Sequence, residues 1–135
     1  MKYPLQSDDA GKLVLRLAVG VLILFHGAAK LMNFEAATAG ITKQVVGMGL
    51  PDFVAYGVYV GEVLAPLLLI LGFLTRLGGL LVVANMIFAF VLVHSGQLLM
   101  LSKQGGWLLE LQGFYLLGGL AIYFLGSGKF AVRPD

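Results

Sequence analysis

The chain has no cysteine. That absence excludes a disulfide framework, a thiolate metal site and any thiol–disulfide chemistry run by the chain itself. Redox chemistry, if the protein takes part in it, has to run on a bound group. Charge is nearly as scarce: only 12% of the 135 residues are Asp, Glu, Lys or Arg, against about 25% in an ordinary soluble domain. There is no basic stripe with interleaved aromatics, so nucleic acid is not an expected partner. A P-loop, a dinucleotide fingerprint and a nucleophile elbow are all missing, and no Ser–His–Asp arrangement is suggested.

What is present is apolar. Hydrophobic residues make up 59% of the chain and the mean hydropathy is +0.94, values that belong to an integral membrane protein. The length suits one domain over 1–135 with no separate soluble module. About twenty apolar residues cross a bilayer as a helix, and four stretches satisfy that need, at roughly 12–34, 53–74, 77–95 and 108–126. The expectation is an all-α, four-transmembrane-helix bundle. A β-barrel is not expected, because the runs are too few and lack period-two alternation. The N-terminal apolar stretch is too long for a signal peptide and has no A-x-A site, so it reads as an uncleaved span capped by Ser7, Asp8 or Asp9.

The connections carry their own signals. FEAATAGITKQVVGMGLPD, with Ile41, Val45, Val46 and Met48 at helical spacing, predicts a short interfacial helix that turns back at Gly49 and Pro51. LTRLGG is a tight link between the second and third spans, and SGQLLMLSKQGGW ends on Trp107, placed as an interfacial anchor. Lys2, Lys12, Arg76, Lys129 and Arg133 fall on one side, and Lys30, Lys43 and Lys103 on the other. Positive charge collects on the inner side, so both termini are expected in the cytoplasm. The pI near 9.0 reflects this topology. Gly20 and Gly27, Gly57, Gly61 and Ala65, and Gly113, Gly118 and Gly119 thin the helices where neighbours pack closely.

Candidate functional residues are the polar ones within the spans: Arg16, His26, Lys30, Glu62, Asn85, His94, Glu110 and Gln112. A charge at mid-span costs about 2.5–3.5 kcal/mol on insertion scales, so such a group is paired, faces a cavity or is functional. With a rise of about 1.5 Å per residue, Lys30, His94 and Glu110 fall within about 5 Å of the outer boundary. His26 lies somewhat deeper, Glu62 about 13–14 Å in, and Asn85 deeper still, while Arg16 sits in the inner half. The first span runs outward and the second inward, so His26 leans down toward Glu62 as Glu62 leans up. The reading is an outward-opening polar pocket with Glu62 as floor, His26 beside it as proton-handling partner, and Lys30, His94 and Glu110 at the mouth. Simpler roles stay open: Lys30 snorkelling to the interface, Arg16 bracing Glu62 or snorkelling inward, and Asn85 and Gln112 bonding helix to helix. No ligand spacing supports a metal site.

Several elements together resemble the DoxX family of small bacterial membrane proteins over nearly the whole chain. They are Arg16 with GVLILFHGAAKL after it, MGLP at 48–51, GEVLAPLLLILGFLTRLGGL from 61 to 80, the HS pair at 94–95 and the polar start of the last span at Glu110. The resemblance implies a four-helix bundle in the bacterial inner membrane. It carries the family's arginine, lysine and glutamate positions onto Arg16, Lys30 and Glu62. It also implies a link to redox chemistry, since the family is named for a small subunit associated with a thiosulfate:quinone oxidoreductase.

Two functions therefore stand side by side. In the first, the chain is a quinone-linked redox subunit. Glu62 and His26 exchange protons with the quinone, Arg16 or Lys30 balances charge, Asn85, His94 and Glu110 complete the pocket, and a partner protein supplies electrons. Tyr56, Tyr59 and Phe114 are then candidates to receive an isoprenoid tail. In the second, it is a non-enzymatic carrier of a small solute or proton, or a membrane scaffold. Four spans are few for alternating access, so a homo-oligomer is expected.

Overall fold

The structure, a computed structural model, describes residues 4–92 and 94–135, so Lys2 of the charge argument and residue 93 of the third predicted span lie outside it. Five helices organise it. α1 (Asp8–Met32) starts where Ser7 Oγ accepts a hydrogen bond from the Ala10 N–H at 3.1 Å, with Asp8 and Asp9 in the first turn where the helix dipole favours acidic groups. It begins four residues ahead of the predicted boundary because those acidic residues are good helix starters, whatever their hydropathy. α2 (Phe34–Gly47) follows directly after Asn33 and occupies the connection where a short helix was expected. The chain then reverses at Gly49, whose φ of +82° lies in the left-handed region that glycine tolerates. α3 (Asp52–Leu71), α4 (Thr75–Leu92) and α5 (Glu110–Leu125) complete the set. Among the described residues the only β feature is an isolated bridge between Leu101 and Trp107.

α1, α3 and α4 are long and apolar enough to cross a membrane. α5 has 16 residues, which as a helix span about 24 Å against a hydrocarbon core of about 30 Å. The four pack as a bundle. Its centre takes residues at helical spacing from each: Val19 and Ile23, Ala65 and Leu69, Val82 and Met86, Tyr115 and Ile122. Around this narrow core the outer faces stay apolar, with Leu22, Phe25, Ile87, Val91, Phe114 and Leu117 all exposed. That arrangement is costly in water and natural in lipid, and it fits a membrane-embedded helical bundle. α4 and α5 meet backbone to backbone: a Cβ on Gly79 would lie 2.6 Å from the Gly119 carbonyl, and one on Gly119 would lie 2.8 Å from the Gly79 carbonyl.

Residues after α5 fold back across one end of the bundle. The Val132 and Arg133 N–H groups donate to the Leu71 and Gly72 carbonyls at 3.0 and 3.1 Å, and Lys129 N–H donates to Asp9 Oδ1 at 2.9 Å. Arg16 ties this strap down. Its side chain is buried, and its guanidinium donates to the carbonyls of Leu69 (2.9 Å), Ile70 (3.2 Å), Ser127 (3.0 Å) and Phe130 (2.6 Å). Two of those acceptors are orphan carbonyls in the last turn of α3, where a cation is favoured. Arg76 does similar work outside, reaching the Tyr123, Phe124 and Asp135 carbonyls. Lys12, Arg76, Lys129 and Arg133 therefore gather at one end of the bundle.

Trp107 closes the loop before α5. Its Nε1 donates to the Leu98 carbonyl at 2.8 Å, its ring lies 5.9 Å from that of Phe90, and its edge covers Gly113.

Candidate functional site

The middle of α3 departs from α-helical geometry. Between Val60 and Leu64 the helix widens to a π turn, closed by the Ala65 N–H donating to the Val60 carbonyl five residues back. Glu62 sits in the middle of that turn. Pro66 follows, and having no N–H it cannot make the α-helical bond to the Glu62 carbonyl. π turns of this kind occur often at functional sites. Gly27 of α1 lies against the same carbonyl, so closely that a Cβ there would collide with it. The approach suits a Cα–H···O contact, a weak bond worth roughly 0.5–1 kcal/mol.

Lys30 lies one turn further along α1, and its Nζ is 2.6 Å from Glu62 Oε2. The side chains are 29% and 14% exposed, so the pair is shielded but reachable. Glu62 Oε2 itself is buried and has no aligned hydrogen bond, which leaves the ammonium as its compensation. The carboxylate's partner is thus Lys30, and neither Arg16 nor His26 fills that role.

The pair borders a cavity of about 300 Å³ walled by all five helices. His26 and Lys30 come from α1, Gln44 from α2, Glu62 from α3 and Asn85 from α4, with His94 beyond it and Gln112 and Tyr115 from α5. Asn85 reaches its place because Gly61 has no side chain, and the amide lies on the glycine's backbone. His26 meets Tyr115 edge to face, with ring centroids 6.3 Å apart. His94 Nδ1 is 2.7 Å from Gln97 Oε1. Apolar walls are supplied by Met86, Phe88 and Leu92.

Six of the eight polar residues singled out within the spans therefore share one cavity: His26, Lys30, Glu62, Asn85, His94 and Gln112. Two do not. Arg16 is taken up by the C-terminal strap, and Glu110 lies outside the lining with its carboxylate beside Gly106. Gln44 and Tyr115 are lining residues that hydropathy reasoning passed over. Tyr115 follows Gln112 at i+3 and so shares its face; for Gln44 no signal was available without knowing that α2 folds over the cavity. Tyr56 and Tyr59, considered as tail contacts, instead pack around Phe34 of α2, and Tyr59 Oη is 2.7 Å from Thr38 Oγ1. Among the described residues no group of three or more His, Asp or Glu side chains is placed to hold a metal ion.

An uncompensated carboxylate in this position costs more than a neutral amide. Lys30→Met alone is therefore expected to destabilise the protein more than Lys30→Met combined with Glu62→Gln, with a coupling of about 0.5–3 kcal/mol. A double-mutant cycle on thermal unfolding in micelles measures it, and additive effects would show that the pair is not coupled.

Comparison with known proteins follows the same outline. The DoxX family model matches residues 11–95, which hold all but the first three residues of α1, the whole of α2 to α4 and the Lys30–Glu62 pair. The chain is 30% identical over 130 residues to "Putative oxidoreductase CatD" of Bacillus subtilis (strain 168), covering 96% of this chain and 89% of that protein. It is 32% identical over 124 residues to an uncharacterized protein of Haemophilus influenzae, covering 90% and 85%. No solved structure gives a significant match.

Proposed function

The chain belongs to the DoxX family, and from that premise we propose that it is an inner-membrane, quinone-linked redox subunit whose bundle cavity receives the quinone head group. The observation that carries this reading is the shielded Lys30–Glu62 pair at a cavity that also holds His26, Asn85, Gln112 and Tyr115. A quinone head offers two carbonyl oxygens in need of donors on a flat apolar ring. Lys30, Gln112, Tyr115 and the Asn85 amide supply donors, and Met86, Phe88 and Leu92 supply apolar wall. A volume of about 300 Å³ lies at the lower end of the range for small-molecule sites. The name of the Bacillus subtilis relative points to oxidoreductase chemistry as well.

A bound quinone supplies two-electron, two-proton carrier chemistry. The chain's part is to orient the head group and manage protons and charge. Lys30, held in place by its ion pair with Glu62, would donate to a carbonyl oxygen of a bound quinone. His26, at the exposed side of the cavity, exchanges protons with water, and Glu62 accepts or returns a proton on the shielded side. Electrons come from a partner protein in this reading, since the sequence has no cysteine and the described residues place no group of three metal ligands together. In this reading α5 is a fourth crossing, α2 lies at the outer interface over the cavity, and the strap with Lys12, Arg76, Lys129 and Arg133 faces the cytoplasm. Homo-oligomers in the bilayer complete the proposal.

Organic extracts of the purified protein are expected to show a quinone absorbance that Glu62→Gln and His26→Ala reduce at least about tenfold. Repeated absence of quinone from wild-type extracts, together with pH-dependent flux in liposomes, would instead favour a carrier.

A further inference from the structure

The loop between α4 and α5 lies at the end of the bundle opposite the strap, and its surface is not that of a loop made for water. Residues 98–101 read Leu-Leu-Met-Leu. Leu99 is 98% exposed and Leu101 68%, with Leu98, Met100 and Leu108 exposed beside them. Lys103 is the one charged side chain between 98 and 109. An apolar cluster held outward by a folded loop marks a contact surface. The fold of the loop is its own: the Ser102 N–H donates to the Gly106 carbonyl at 2.7 Å, Gly105 N–H to the Ser102 carbonyl at 3.0 Å, and Leu108 N–H to the Met100 carbonyl at 2.9 Å. Trp107 holds it against α4, with its Nε1 on the Leu98 carbonyl and its ring on Phe90.

We propose that this loop is an interfacial anchor: residues 98–101 rest in the boundary between headgroups and acyl chains of the bilayer that holds the bundle, with Lys103 turned to water. Three observations carry it. The 16 residues of α5 leave about 6 Å of the hydrocarbon core for the flanking chain to cover. After α5 the chain turns directly into the strap with its basic residues, whereas before α5 it is apolar, so the shortfall falls on this loop. The exposed leucines also continue a surface already apolar, since Leu111, Phe114 and Leu117 of α5 and Val91 of α4 face outward below them. Finally, backbone bonds made within the loop spare those groups from needing water, and a lysine is the charge whose long stem reaches out of such a layer. A soluble partner would leave the same leucines in water whenever it was absent, while the bilayer is always there. The inference does not depend on what the polar cavity binds.

The test uses the full chain in nanodiscs of phosphatidylcholine and phosphatidylglycerol. Because the chain has no cysteine, Leu99→Cys, Leu101→Cys, Lys103→Cys and Phe114→Cys each accept a single nitroxide label. Collisions with oxygen, which concentrates in hydrocarbon, are compared with collisions with a water-soluble nickel chelate. The expected result is that oxygen dominates at 99 and 101, as at the outward-facing position 114, and that nickel dominates at 103. Labels at 99 and 101 that meet nickel as readily as the label at 103 would overturn the proposal and put the loop in water. Labels at 99 and 101 closed to both reagents would overturn it as well, and would assign the surface to a second copy of the chain or to another protein. Trp107, the single tryptophan, checks the unsubstituted protein: its emission should be quenched by lipid brominated near the headgroup more than by iodide in the buffer. Quenching by iodide with none from the brominated lipid would count against the anchor in the same way.

Discussion

Arg16→Met is expected to lose at least about 3 kcal/mol of stability, more than any change at the cavity. Four carbonyls now receive the guanidinium: two from the last turn of α3 and two from the strap. Each buried acceptor left without a donor costs about 1–3 kcal/mol, partly recovered where water can enter. Methionine keeps much of the volume and none of the donors. Arg16→Lys should recover less than half of the loss, because one ammonium cannot bridge acceptors on two segments. Thermal unfolding in micelles measures the size of the effect, and protease sensitivity beyond residue 126 reports release of the strap. Under the proposed quinone-binding role, binding by the fraction that remains folded should be unchanged, since Arg16 is not a lining residue. A stable Arg16→Met protein whose strap stays protected would show that the guanidinium is not the tie.

Gly27→Ala is the second large effect, at about 2–3 kcal/mol. The added methyl meets the Glu62 carbonyl, a backbone group that cannot swing aside as a side chain would. Either α1 moves away from α3 or the π turn reshapes, and both outcomes stretch the Lys30–Glu62 pair. Stability should therefore fall, and under the proposed role quinone binding should fall with it. Gly11→Ala and Gly40→Ala provide the contrast, because nothing lies within 4 Å of either added methyl. Helix propensity should make those two neutral or slightly stabilising, by up to about 1 kcal/mol. If all three substitutions behaved alike, close packing at Gly27 would not be what the glycine is there for.

The helical bundle could be read in the sequence because hydropathy reports burial in lipid directly. Runs long enough to span a membrane need few other cues, and Ser7, Gly49 and the tight link near Arg76 fall where capping and turn chemistry place them. Site assembly was harder to see. Backbone heights match His26 to Glu62, but the same downward lean applies to Lys30, whose four-carbon stem covers the extra turn. Snorkelling, the simpler role for Lys30, assumes that the ammonium seeks water; a carboxylate at 2.6 Å serves instead. Arg16 misled in another way. A charged residue within a span suggests a ligand site, but its acceptors are main-chain carbonyls more than fifty residues away, and no side-chain pattern announces those. Depth alone puts Glu110 at the mouth, and the face it takes on α5 is set by a loop whose path the sequence leaves open.

The π turn has one more consequence. An α-helix advances about 100° per residue, so one extra residue in a turn sets everything after it about 100° out of phase with everything before. Gly61 and Glu62 answer to α4 and α1, while Ala65 and Leu69 fill the centre of the bundle. An uninterrupted helix would not hold both halves in those directions at once. Deleting a single residue from 60–64 would leave composition, hydropathy and predicted topology almost untouched. It would turn one half of α3 against the other and separate the carboxylate from its lysine. The site is thus encoded partly as an angular offset, a quantity to which the hydrophobicity of the segment is blind.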